Sequence, residues 1–262
     1  LPLLHYIRKK TPLSMTLGAI LLWIFPTMTE VFWCDGGCAD FSMAVVYGAF
    51  LVAVIDRKGT LPWLYYGRQA LYLMVLVLCK NTGFVWYAFA VLFSIGVQIL
   101  NRRMGEDLWQ KRTAVWGTLS VMTLPLLSGG GWFVFCYLHR RVAKLTGAAV
   151  QMATGGMNIP ETREQMIQAF GEAFVKWPLH RSSTWLFDFS PLVLLLFLLA
   201  VYFLLIVSKK LNRIMGRFLL IYTVITAILF YTLVLISHLT VFAVETQYLE
   251  PYGMVSSISR YG

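Results

Sequence analysis

The stretch FSPLVLLLFLLAVYFLLIV, Phe189 to Val207, runs for 19 residues without a charged side chain. Wound as a helix at 1.5 Å per residue, it covers about 28 Å, close to the roughly 30 Å hydrocarbon core of a bilayer. A helix on the surface of a soluble protein needs a polar face, and this run is apolar all round. Lys209 and Lys210 follow directly, as basic residues do where a span meets the cytoplasmic interface.

Working outward, comparable runs recur at about 12–28, 40–55, 62–79, 84–100, 114–137 and 218–244. The whole chain of 262 residues is 58% hydrophobic and 13% charged, against roughly 25% charged in ordinary soluble domains. These features predict an all-α, polytopic transmembrane helix bundle of about seven spans, with residues 1–262 forming a single transmembrane domain. Net charge +10 would suggest nucleic acid in a soluble protein. In a membrane protein it asks instead on which side the basic residues fall, and no nucleic-acid partner is expected.

They fall on one side. Threading the spans from a cytoplasmic start at Arg8, Lys9 and Lys10 puts 14 of the 22 basic residues inside, with only 3 of the 12 acids. Short-loop lysine and arginine set orientation, so the first residues are expected in the cytoplasm and the last outside. The start at Leu1 and the ending Ser-Arg-Tyr-Gly are those expected of a segment from a longer protein.

Residues 138–188 form the expected extracytoplasmic loop. Within it, Asn158 and Pro160 signal a helix start, Lys176 and Pro178 a stop, and Ile159, Met166, Ile167, Phe170, Phe174 and Trp177 recur at helical spacing. This amphipathic helix either lies in the outer membrane interface or packs on the bundle.

Three polar clusters lie on the outer side. The first, WCDGGCAD (residues 33–40), ends in Asp40, whose carboxylate suits the positive end of the span it opens and can also serve chemistry. Cys34 and Cys38 lack a second Cys or His pair at zinc spacing, which argues against a metal and leaves a local disulfide or two plain thiols. Cys79 and Cys136, in or beside spans, read as packing residues. The second cluster is Lys80-Asn81-Thr82-Gly83. Lys80 either snorkels to the interface or binds a ligand. The third is the tail from Glu245, where Ser256, Ser257, Ser259, Arg260 and Tyr261 make a composition able to hold a phosphate.

In order and side, these pieces resemble the bacterial GT-C glycosyltransferases, polytopic enzymes that use polyprenyl-phosphate-linked sugars. The matching elements are Cys38-Ala39-Asp40-Phe41-Ser42-Met43-Ala44, Lys80-Asn81-Thr82-Gly83 and Ser257-Ile258-Ser259-Arg260-Tyr261. A tyrosine usual near the aspartate is absent, and Ile258 stands where the family has phenylalanine. The resemblance implies transfer of a sugar to an extracytoplasmic glycan, lipid or protein acceptor. It implies that Lys80, Arg260, Tyr261 and Ser257 hold the lipid phosphate and that Asp40 supports a principal base lying before Leu1. It names no certain cofactor and leaves a divalent metal open. A flippase or transporter of lipid-linked oligosaccharide, a polymerase or ligase of the same substrates using Arg140, Arg141, Arg163 and Arg181, and a scaffold without chemistry are the alternatives.

Overall fold

The computed structural model describes residues 39–57, 59–106, 109–141, 163–176, 189–209 and 211–239. They form seven α-helices: α1 (Ala39–Ile55), α2 (Pro62–Cys79), α3 (Gly83–Arg103), α4 (Lys111–Leu138), α5 (Arg163–Lys176), α6 (Pro191–Val207) and α7 (Arg213–Leu239). The fold is all-α among the described residues. The chain divides into two compact units, residues 1–138 and 139–262.

In the first unit α2 is the centre, packed against α1, α3 and α4. Its buried residues, Tyr65, Tyr66, Gln69, Ala70, Leu73, Leu76 and Val77, repeat every three or four positions and so form one stripe. Phe50, Ala53 and Val54 from α1 and Ala90, Phe93 and Val97 from α3 are buried with that stripe. The opposite face of α2 leaves Trp63 70% and Leu71 63% exposed, a surface that water would not tolerate in bulk but hydrocarbon would.

α4 carries Pro125 in its interior. Proline has no N–H, so the carbonyl of Val121 loses its helical partner. In the same turn the Tyr87 hydroxyl of α3 donates to the Met122 carbonyl at 2.6 Å. Two hydroxyls of α4 turn back on their own helix: Ser120 to the Trp116 carbonyl and Thr123 to the Leu119 carbonyl, each at 2.9 Å. These bonds satisfy donors on a helix whose apolar side chains are largely exposed.

The second unit holds α5, α6 and α7, each packed on the other two. Ser190 caps α6 by accepting from the Val193 N–H, with Pro191 at the first helical position, and Asn212 caps α7 by accepting from the Ile214 N–H at 2.9 Å. Gly216 lets α7 approach Ile206 of α6: a Cβ there would clash with the Ile206 side chain.

α5 is amphipathic and packs by its apolar face. Met166, Phe170 and Ala173 are buried, and the Phe174 ring meets Tyr231 of α7 edge-on at 4.8 Å. The helix therefore packs on α6 and α7. Ile167, assigned to the apolar stripe from its spacing, is 44% exposed.

Among the described residues three helices, α3, α4 and α7, are long and apolar enough to cross a membrane, which makes this a multi-pass candidate. α1 and α6 form shorter apolar helices, and α2 is diluted by Tyr65, Tyr66, Arg68 and Gln69. The expected run at 12–28 lies outside the described residues.

Candidate functional site

Two ends of the first unit carry polar groups, and the α1–α2 hairpin fixes which residues share each end. Near its turn, the Tyr65 hydroxyl donates to the Val54 carbonyl at 2.8 Å. From Val54 back to Asp40 and from Tyr65 forward to Lys80, the two helices each rise about 21–23 Å. Asp40, in the first turn of α1, and Lys80, following α2, are thereby carried to the same end.

Lys80 ends α2 in an extended conformation, φ −161° and ψ 152°, and is half-buried. The chain reverses at once. The Gly83, Phe84 and Val85 N–H groups donate to the Lys80, Asn81 and Thr82 carbonyls at 2.8, 3.3 and 3.0 Å. Gly83 is required by crowding: a Cβ would run into the Leu76 carbonyl oxygen and sit 2.8 Å from its carbon. Thr82 occupies the position before α3 without capping it, and its buried Oγ1 has no hydrogen-bond partner. Close by in sequence, Trp86 meets Tyr47 of α1 in a tilted contact, ring centroids 5.0 Å apart.

The opposite end is a clamp on helix C-termini. Arg68 Nη2 donates to the Ala53 and Asp56 carbonyls at 3.2 and 3.3 Å, so α2 supplies both Arg68 and Tyr65 to the unmet carbonyls ending α1. α3 ends in a Schellman motif: Glu106 N–H donates to the Asn101 carbonyl at 2.9 Å and Gly105 N–H to the Arg102 carbonyl at 3.1 Å, with Gly105 at φ +70°. Arg57 Nη2 joins the two ends by donating to the Glu106 carbonyl at 3.3 Å. Trp109 packs against Tyr65 and Tyr66, centroids 4.8 and 5.6 Å away.

Between these ends runs a neutral polar seam that the sequence reading missed. Gln69 and Ser94 are buried and paired at 3.4 Å. Gln98 Nε2 donates to Thr118 Oγ1 at 2.7 Å, and that hydroxyl donates to the Ala114 carbonyl at 2.7 Å. The signal was present in the spacing: Ser94, Gln98 and Asn101 fall at i, i+4 and i+7, one face of α3. Arg68, counted from sequence with the inner loops, belongs to α2.

Cys79 is exposed, which corrects its reading as a packing residue, and Cys136 is partly buried; both are free thiols. No three His, Cys, Asp or Glu side chains come together as a ligand set among the described residues. Cys34, Cys38, Ser257, Arg260 and Tyr261 lie outside those residues. His238, in the last turn of α7, is fully buried.

Fold and exposed apolar surface together define the class: a helical, multi-pass membrane protein with three candidate spans. Compared with protein-family models, curated proteins and solved structures, the chain gives no significant match.

Proposed function

We propose that the chain belongs to a membrane glycosyltransferase of the GT-C kind and contributes about seven spans to it. It moves a sugar from a polyprenyl-phosphate donor to an extracytoplasmic acceptor. The observation that carries this reading is the backbone placement of Asp40, in the first turn of α1, and Lys80, after α2, at one end of the α1–α2 hairpin.

In the reaction an acceptor hydroxyl attacks the anomeric carbon. The bond from that carbon to the lipid phosphate breaks, and the proton passes to a carboxylate, with the phosphate leaving as the dianion. Lys80, with Arg260, Tyr261 and Ser257 from the tail, meets the charge that grows on the departing phosphate. Asp40 serves as a supporting carboxylate. The tight Lys80–Gly83 turn holds the lysine backbone, so its ammonium is delivered from a fixed anchor rather than from a long loop.

Flipping of a lipid-linked oligosaccharide is the second reading, and the polar seam of Gln69, Ser94, Gln98 and Thr118 favours it. Against it, the seam is uncharged, and Arg68 is turned to the carbonyls that end α1.

Reconstituted full-length protein separates the readings. Lys80→Ala should lower transfer from a labelled polyprenyl-phosphate sugar by about 10²–10³, the cost of removing one group that stabilises developing charge. Lys80→Arg should recover part of it. Unimpaired transfer by Lys80→Ala removes Lys80 from the site, and donor crossing the bilayer without transfer selects the flippase.

A further inference from the structure

We propose that the Asp56–Glu106 end of the first unit binds the phosphodiester headgroup of an anionic membrane lipid. The site is separate from the Asp40–Lys80 end and does not depend on the activity assigned there.

The argument starts from unmet hydrogen bonds. Asn101 is 3% exposed, and its side-chain Nδ2 has no acceptor; Arg68 Nε is buried and equally without one. Buried polar groups are ordinarily paired, and each exception calls for a missing partner. Both exceptions here are donors, so the missing partner is an oxygen acceptor. The contacts that tie Arg68 to Asp56, Arg57 to Glu106 and Glu106 to Asn101 bring both donors to one end of the unit.

Charge selects among acceptors. Around this end stand Arg57, Arg68, Arg102 and Arg103, against Asp56 and Glu106 among the described residues. Helix C-termini would ordinarily oppose an anion. Here the carbonyls ending α1 are engaged by Arg68 and Tyr65, and those ending α3 by the Schellman bonds, which offsets that opposition. A phosphodiester offers anionic oxygens for charge-assisted bonds to guanidinium and amide donors.

The surroundings select a lipid over free phosphate. Leu61, Trp63 and Leu64, at the start of α2 beside this end, are 57%, 70% and 45% exposed. They offer acyl chains an apolar wall one turn from the basic groups, with the indole of Trp63 suited to the headgroup level.

Full chain purified in neutral detergent tests this by thermal unfolding with added phosphatidylglycerol, phosphatidylcholine of the same acyl chains, or inorganic phosphate. Phosphatidylglycerol should raise the midpoint by several degrees more than phosphatidylcholine, and phosphate alone should not. Asn101→Leu keeps the backbone carbonyl of the Schellman motif and removes the unmet donor. It should unfold no earlier than wild type in phosphatidylcholine yet lose most of the phosphatidylglycerol increment. Arg57→Gln should lose it too, while Arg112→Gln keeps it. Should Asn101→Leu fail to fold, the contrast between Arg57→Gln and Arg112→Gln decides. Equal midpoints in the two lipids, an undiminished increment in Asn101→Leu, or equal losses in the two arginine variants would overturn the site. The same increment from inorganic phosphate would overturn the lipid assignment.

Discussion

Replacing Gly83 with alanine tests the turn that anchors Lys80. The added Cβ would overlap the Leu76 carbonyl oxygen, and would lie 2.8 Å from the carbonyl carbon and 3.2 Å from Val77 Cα. Ordinary carbon–carbon contacts sit at about 3.5–4.0 Å, so both gaps are too short, and the obstacle is backbone rather than a side chain able to turn aside. α3 must shift away from α2. Overpacking of this kind costs about 1–3 kcal/mol. Opening the turn also strains the 2.8 Å bond from the Gly83 N–H to the Lys80 carbonyl, worth about 1 kcal/mol. The expected loss is about 2–4 kcal/mol, read by denaturant unfolding in detergent micelles. Gly130→Ala is the internal control, since a Cβ there meets nothing within 4 Å, and alanine should be neutral or stabilising by up to about 1 kcal/mol. If Gly83→Ala proves as stable as Gly130→Ala, the tight-turn reasoning is refuted.

Three further outcomes follow from the same packing. Gly105→Ala places a side chain at φ +70° in the Schellman motif and should cost about 1–2 kcal/mol in the same unfolding assay, with no loss if the backbone is not left-handed there. Tyr87→Phe removes the hydroxyl that donates to the Met122 carbonyl beside Pro125, and should cost about 0.5–1.5 kcal/mol. Gln98→Leu and Thr118→Val should each cost about 0.6–2 kcal/mol, and the double variant should lose less than their sum because both break one interhelical pair; strict additivity would show that the side chains do not meet.

The run that opened the sequence reading was legible because composition alone constrains it. A charge-free stretch such as Phe189–Val207 has no polar face to offer water, and Ser190-Pro191 marks the start of α6. α5 was equally readable, since Met166, Phe170 and Phe174 share a face whether they meet lipid or protein. Its partner was not readable, because an apolar stripe does not say what covers it. α2 shows the limit most clearly. Its tyrosines, Arg68 and Gln69 sit in a run counted as a span, and only the fold reveals that they cap α1 and line a seam with α3.

The candidate site was legible in part. Alternating orientation of the spans predicts that Asp40 and Lys80 share a side, and the α1–α2 hairpin carries them to one end. The reason for Gly83 was hidden, since no pattern in sequence announces the approach of its Cα to the Leu76 carbonyl. The motif resemblance treats Lys80 and Gly83 as one element; the structure gives the glycine a packing cause of its own.

The central claim is that this protein transfers sugar from a polyprenyl-phosphate donor, and mass measurement of donor and acceptor after incubation with the reconstituted full-length protein tests it most directly. The account predicts stoichiometric loss of glycosylated donor, release of polyprenyl phosphate and gain of sugar mass on the acceptor, all suppressed together in Lys80→Ala. Donor left intact by the wild type, or consumed equally by wild type and Lys80→Ala, would contradict it.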